Sequence, residues 1–212
     1  MKKFSLFACL CLWLGFSHSV SAEPVTLTFN ELPTQPVSTP TTDLSFRGVT
    51  FRFRVGGQPS PDARYNAAGP GNFTFIQGAI LEGDAHGTLT LDFNIPTTRL
   101  MFGAARSSLG TLTPGITVEL FDPAGGSLGV IAVNTSNLSG ISEGLFNYPG
   151  GALVSRAVIA FNDPTAASRF ALDNLTFEPV PEPATLLLLS TGLAAAGMAA
   201  RRGRKKRQTS DR

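Results

Sequence analysis

The chain has 212 residues, 42% of them apolar and 15% charged, with a formal net charge of +2. This leaves room for one ordinary domain plus targeting segments. The small net charge conceals a partition: Glu23–Pro179 carries eight arginines, thirteen acids and no lysine, while positive charge gathers at Lys2-Lys3 and Arg201–Arg207. Cations confined to the flanks of apolar runs report membrane topology, and the acidic middle excludes a nucleic-acid footprint.

Met1-Lys2-Lys3 is a basic start, followed by an apolar run from Phe4 to about Phe16 and by Ser19-Val20-Ser21-Ala22. That order is the pattern of a secretory signal peptide over residues 1–22, cut between Ala22 and Glu23 by signal peptidase after Sec-type export. Leu6-Phe7-Ala8-Cys9 is a loose match to a lipoprotein box, but it sits too early to leave an apolar run before it. Both cysteines, Cys9 and Cys11, fall inside this leader. Its removal leaves no disulfide, zinc–thiolate site or cysteine nucleophile.

From Val25 the pattern is β. Val25–Phe29 alternates apolar and polar residues, and Val49–Val55 does so most clearly, with Thr50, Arg52 and Arg54 opposite an apolar face. Further strands are predicted at Phe73–Ile76, Thr88–Phe93, Arg99–Ala104, Ile116–Phe121, Leu128–Val133, Leu145–Tyr148, Ala157–Phe161 and Phe170–Phe177, each bounded by Gly, Pro, Asn or Asp. Asp122-Pro123-Ala124-Gly125-Gly126 reads as a hairpin turn. No stretch of Glu23–Glu178 carries a helical period, so the expected fold is an all-β antiparallel sandwich of jelly-roll type, with a barrel as the alternative. Phenylalanines on nearly every strand are read as core rather than as a ligand platform.

Most candidate chemistry in residues 23–179 fails on inspection. Gly125-Gly126-Ser127-Leu128-Gly129 matches G-x-S-x-G, but a strand follows Ser127 and no histidine does. The glycines suit a turn with positive φ. His86, beside Glu82 and Asp84, is the one histidine left after leader removal, and it has no second histidine with which to hold zinc or iron. Calcium takes oxygen ligands alone, and Asp62, Glu82, Asp84, Asp163 and Asp173 are candidates without EF-hand spacing. The competing reading is solvated carboxylates and turns. The N-x-S/T triplets at Asn72, Asn134, Asn137 and Asn174 are treated as incidental. No catalytic residue is assigned, and no cofactor beyond a structural calcium is considered.

The C-terminal stretch is more specific. Val180-Pro181-Glu182-Pro183 is held extended, because proline fixes φ, lacks an N–H and disfavours helix in the residue before it. Ala184–Ala200 is uncharged and at about 1.5 Å per residue reaches the short end of the transmembrane range. Arg201, Arg202, Arg204, Lys205, Lys206 and Arg207 then keep the C-terminus cytoplasmic by the positive-inside rule. Residues 208–212 are a polar tail. A nuclear-localisation reading fails because the cations abut a membrane-length run, and a lipid-anchor signal normally ends in its apolar tail. A permanent single-pass anchor stays open.

This stretch, 180–207, resembles the PEP-CTERM sorting signal of bacterial surface proteins. The resemblance implies recognition through Pro181, Glu182 and Pro183 by an exosortase-like membrane peptidase. It also implies release of the exported domain to the cell surface or exopolysaccharide matrix. Phe170–Phe177 is similar to the last strand of β-sandwich cargo found before such tails. The expectation is a non-catalytic structural, adhesive or carbohydrate-binding component, with exopolysaccharide as its candidate partner. The runner-up is a secreted glycan-active or other hydrolase, since jelly rolls host both and glycosidase carboxylates need no sequence motif.

Overall fold

The computed structural model describes residues 23–108, 110–163 and 168–180, together with Gly192. The leader, the Pro-Glu-Pro residues and the basic cluster lie outside the described residues. Among the described residues there are thirteen strands. They are β1 (Val25–Leu27), β2 (Gln35–Pro36), β3 (Leu44–Phe46), β4 (Val49–Val55), β5 (Gln58–Pro59), β6 (Arg64–Ala68) and β7 (Ala79–Asp84). The long strands follow: β8 (Thr88–Ser107), β9 (Leu112–Phe121), β10 (Ser127–Leu138), β11 (Ile141–Tyr148), β12 (Val154–Ala160) and β13 (Arg169–Pro179). All named pairings are antiparallel, as the all-β reading requires.

Strand β8 organises the molecule. Its first half lies between β4 and β12, with Leu91 opposite Phe51 and Ala157. Its second half lies between β13 and β11, with Phe102 opposite Phe146 and Ala104 opposite Leu172. One layer is therefore β4–β8–β12–β9–β10, and the other is β6–β7–β13–β8–β11, with β8 common to both. On the far side β10 crosses in the same way, from β9 to the start of β11. The result is a two-layer sandwich closed by shared strands, so the sandwich and barrel expectations each describe part of it.

The core fills the space between the layers, as period-two alternation dictates. Phe51, Phe53, Phe102, Phe146, Phe161, Phe170 and Phe177 are all buried. Phe161 stacks on Phe170 at 3.8 Å between ring centroids, and Phe53 of one layer meets Phe170 of the other at 5.7 Å. Each such ring contributes roughly 1.5–3 kcal/mol through burial. The aromatics are core, as the sequence led us to expect.

Two sequence expectations need correction. Thr88–Phe93 and Arg99–Ala104 are halves of one strand, not two. Pro96 does not break β8, because it lies in the register skip of β12, between the pairs Asp92–Arg156 and Thr97–Val154, where no ladder donor is required of it. Phe73–Ile76 is not a strand but part of an irregular strap. Its Thr74 and Phe75 N–H groups go to the Glu143 carboxylate, and its Phe73 N–H to the Ile76 carbonyl, instead of to a neighbouring strand. Conversely β6 and β7, poor in β-branched residues, escaped the sequence reading. The hairpin at Asp122 is present: Asp122 N–H donates to the Gly126 carbonyl at 2.9 Å, and Gly125 has φ of 83°.

Candidate functional site

On the outer face of the second layer the register puts Met101 beside both Asn147 and Thr176. Together with Arg99, Glu178, Pro149 and Pro24 they line an open groove of about 410 Å³, within the range of small-ligand sites, and half-buried Tyr148, opposite Leu100 and packed against the main core, lines its end. Tyr148 closes β11 and is oriented by its hydroxyl, which donates to the Ala152 carbonyl at 3.0 Å. Arg99 Nε stands 3.5 Å from a Glu178 oxygen, and the Arg99 side chain is 70% exposed. The groove thus offers the half-buried Tyr148 ring, with Phe177 buried beneath, an amide, a hydroxyl, a largely free guanidinium and a single carboxylate.

Further along the same face, the strap from Gly69 to Gly78 is held by two buried acids. Glu143 of β11 accepts the Thr74 and Phe75 N–H groups, each at 2.9 Å, and Asp173 of β13 accepts the Gln77 N–H at 2.8 Å. Burial pushes the Asp173 carboxyl above the usual carboxylate range, against the pull of the Gln77 and Asn174 N–H donors. Gly103 leaves room for the strap, since a Cβ there would lie 2.1 Å from the Phe75 carbonyl oxygen. Behind the strap, Ile76, Ile80, Ala105 and Ala171 form a second, smaller apolar cluster.

The proposed calcium ligands do not share one site. Arg169 binds Asp62 and Glu82, each at 2.7 Å, so its guanidinium occupies the place between them. Those carboxylates hold Arg169 above the ordinary guanidinium range, against the opposing effect of burial. Asp163 pairs with buried Arg106 at 2.8 Å, and Arg106 also donates to the Gly115 and Phe161 carbonyls. Asp84 accepts the His86 N–H at 2.9 Å and faces His86 Nδ1 at 3.0 Å, and the first contact leads in keeping its carboxyl low. Among the described residues no group of three or more His, Cys, Asp or Glu could hold a metal ion.

Ser127 sits at the start of β10 and donates to Glu119 at 2.8 Å, while His86 lies in the β7–β8 turn against Asp84. The outer face of the first layer carries Arg54, Asp43, Arg52, Asp92 and Arg156 as an alternating chain of ion pairs. Two further depressions, of about 180 and 500 Å³, are each lined by one carboxylate, Glu82 and Asp163. Among the described residues no helix is long and apolar enough to cross a membrane.

The sequence reading missed Arg99, Asn147, Tyr148, Glu143 and Arg106. Nothing in a single chain marks the groove residues, because they meet only through the β8, β11 and β13 registers. Glu143 did leave a trace, as the one charged residue of β11.

The chain carries the PEP-CTERM protein-sorting motif, matched over residues 179–205. No curated protein matches the sequence. Among solved structures it resembles a mutant family 29 carbohydrate binding module, at 10% identity and TM-score 0.37, covering 73% of this chain and 91% of that one. A second family 29 module matches at 11% identity and TM-score 0.35, over 68% and 87% of the two chains. The CBM22-1–GH10 modules of a Clostridium thermocellum endo-1,4-β-D-xylanase complexed with xylohexaose match at 14% identity and TM-score 0.38, over 68% and 28%. Likeness at this level is no guide to ligand.

Proposed function

We propose that this is an exported surface or matrix protein, sorted through its C-terminal signal, whose β domain binds carbohydrate without turning it over. The sorting motif at 179–205 carries the reading. In it, signal peptidase cuts between Ala22 and Glu23 after Sec-type export. An exosortase-like peptidase then recognises Pro181, Glu182 and Pro183. The cluster Arg201, Arg202, Arg204, Lys205, Lys206 and Arg207 holds the intermediate in the membrane until then.

The groove at Tyr148 supports the binding part. An aromatic ring beside amide, hydroxyl and guanidinium groups suits a sugar, which presents apolar ring faces and polar edges. Glu178 is the single carboxylate bordering it, whereas glycoside hydrolysis ordinarily needs two carboxyl groups about 5–10 Å apart. Affinity electrophoresis of the mature protein through gels containing exopolysaccharide tests this reading. Wild type is expected to be retarded, and Tyr148→Ala and Arg99→Ala to run freely. Equal mobility of all three, or release of sugars by the wild type, would remove it.

A further inference from the structure

The folded domain and the sorting motif overlap. Strand β13 runs to Pro179, and the matched motif begins at residue 179. Pro179 is paired with Thr97, and the Val180 N–H donates to the Pro96 carbonyl at 2.8 Å. One residue upstream, Glu178 is gripped from both its backbone groups. Its N–H donates to Thr97 Oγ1 at 2.9 Å, and its carbonyl accepts from the same hydroxyl at 2.8 Å. The hydroxyl proton is shared with the Arg99 carbonyl at 2.7 Å, and Thr97 is wholly buried. A peptidase that binds its substrate extended around Pro181–Pro183 needs free backbone on the N-terminal side of that sequence, where these docked residues lie. Pro181 and Pro183 bring no N–H of their own, which increases the demand on the residues before them.

We propose that Glu178–Val180 form a latch: docked on Pro96 and Thr97 they withhold the first residues of the motif, and processing proceeds from the undocked state. This rests on the reading of 180–207 as a processed signal. Thr97 is the positioning residue, and the fraction of chains undocked scales the apparent affinity of the peptidase. The arrangement makes release depend on the integrity of the last strand. It also leaves the mature protein with a strand end that can settle back onto β8.

The test follows full-length protein by pulse-chase and intact mass in cells that carry the processing peptidase. Thr97→Val removes the hydroxyl at near-constant volume and is expected to raise the processing rate about fivefold, the worth of one net hydrogen bond. Thr97→Ser keeps the hydroxyl and is expected to process at the wild-type rate. A short Gly-Ser insertion between Val180 and Pro181 puts free backbone between the latch and Pro181-Glu182-Pro183, and is expected to speed processing with no change in melting temperature. Wild-type rates for both Thr97→Val and the insertion overturn the latch. So does faster processing by Thr97→Val alone together with a lowered melting temperature, which would report general unfolding. A wild-type chain that never loses Arg201–Arg207 overturns the processed-signal reading, and the latch with it.

Discussion

Replacing Glu143 by Gln probes how the strap is held. The native carboxylate is 3% exposed and gives one oxygen each to the Thr74 and Phe75 N–H groups, both at 2.9 Å. A glutamine amide offers one oxygen, and its NH₂ then faces an N–H donor. The variant loses at least one charge-assisted hydrogen bond, worth about 1.5–3 kcal/mol. For a domain of this size each kcal/mol shifts the melting temperature by about 2–4 °C, so a fall of roughly 3–12 °C is expected. Thermal denaturation gives the total, and amide hydrogen exchange at Thr74, Phe75 and Gln77 localises it. Gly103→Ala should expose the same amides by a different route, since its Cβ would collide with the backbone of Phe75. Unchanged melting with full protection of Thr74 and Phe75 would refute the argument.

Other outcomes follow from the same contacts. Asp173 has a raised pKa because it is buried, so the native state holds this proton more tightly than the unfolded chain does. Its contribution is therefore full below the unfolded carboxylate pKa and is lost as pH rises through the folded one. Asp173→Asn should remove that slope, and a stability–pH profile matching wild type would contradict it. Glu31 is opposite in sign: burial raises its pKa, but the Tyr65 hydroxyl and Thr28 N–H bring it below the ordinary value. Its contribution is present above the unfolded pKa and is lost as pH falls through the folded one. Tyr65→Phe should cost about 1 kcal/mol at neutral pH and less in acid, and a loss constant with pH would count against the Glu31 contact. Chelator is expected to leave the melting temperature unchanged, because Arg169 and Arg106 already engage Asp62, Glu82 and Asp163. A drop restored by calcium would show an ion site.

Much of the architecture was legible where one face of a strand is buried. Val49–Val55 shows it best: Val49, Phe51 and Phe53 are buried, and Thr50, Arg52 and Arg54 line the other side. Phe73–Ile76 misled because an apolar, aromatic segment between glycines looks like a strand whether its N–H groups meet another backbone or a carboxylate. The continuity of β8 was hidden by Pro96, which is harmless only at the register skip between the two layers. The groove was not legible, since Arg99, Asn147 and Glu178 come from different strands and none carries a local pattern. The address was more legible than the cargo, because a sorting signal is linear and a binding surface is not.

Intact-mass analysis of the mature protein tests the central claim most directly. A form beginning at Glu23 that lacks Arg201–Arg207 is expected. A mature form that still carries those residues would contradict the sorting account and leave a permanent anchor in its place.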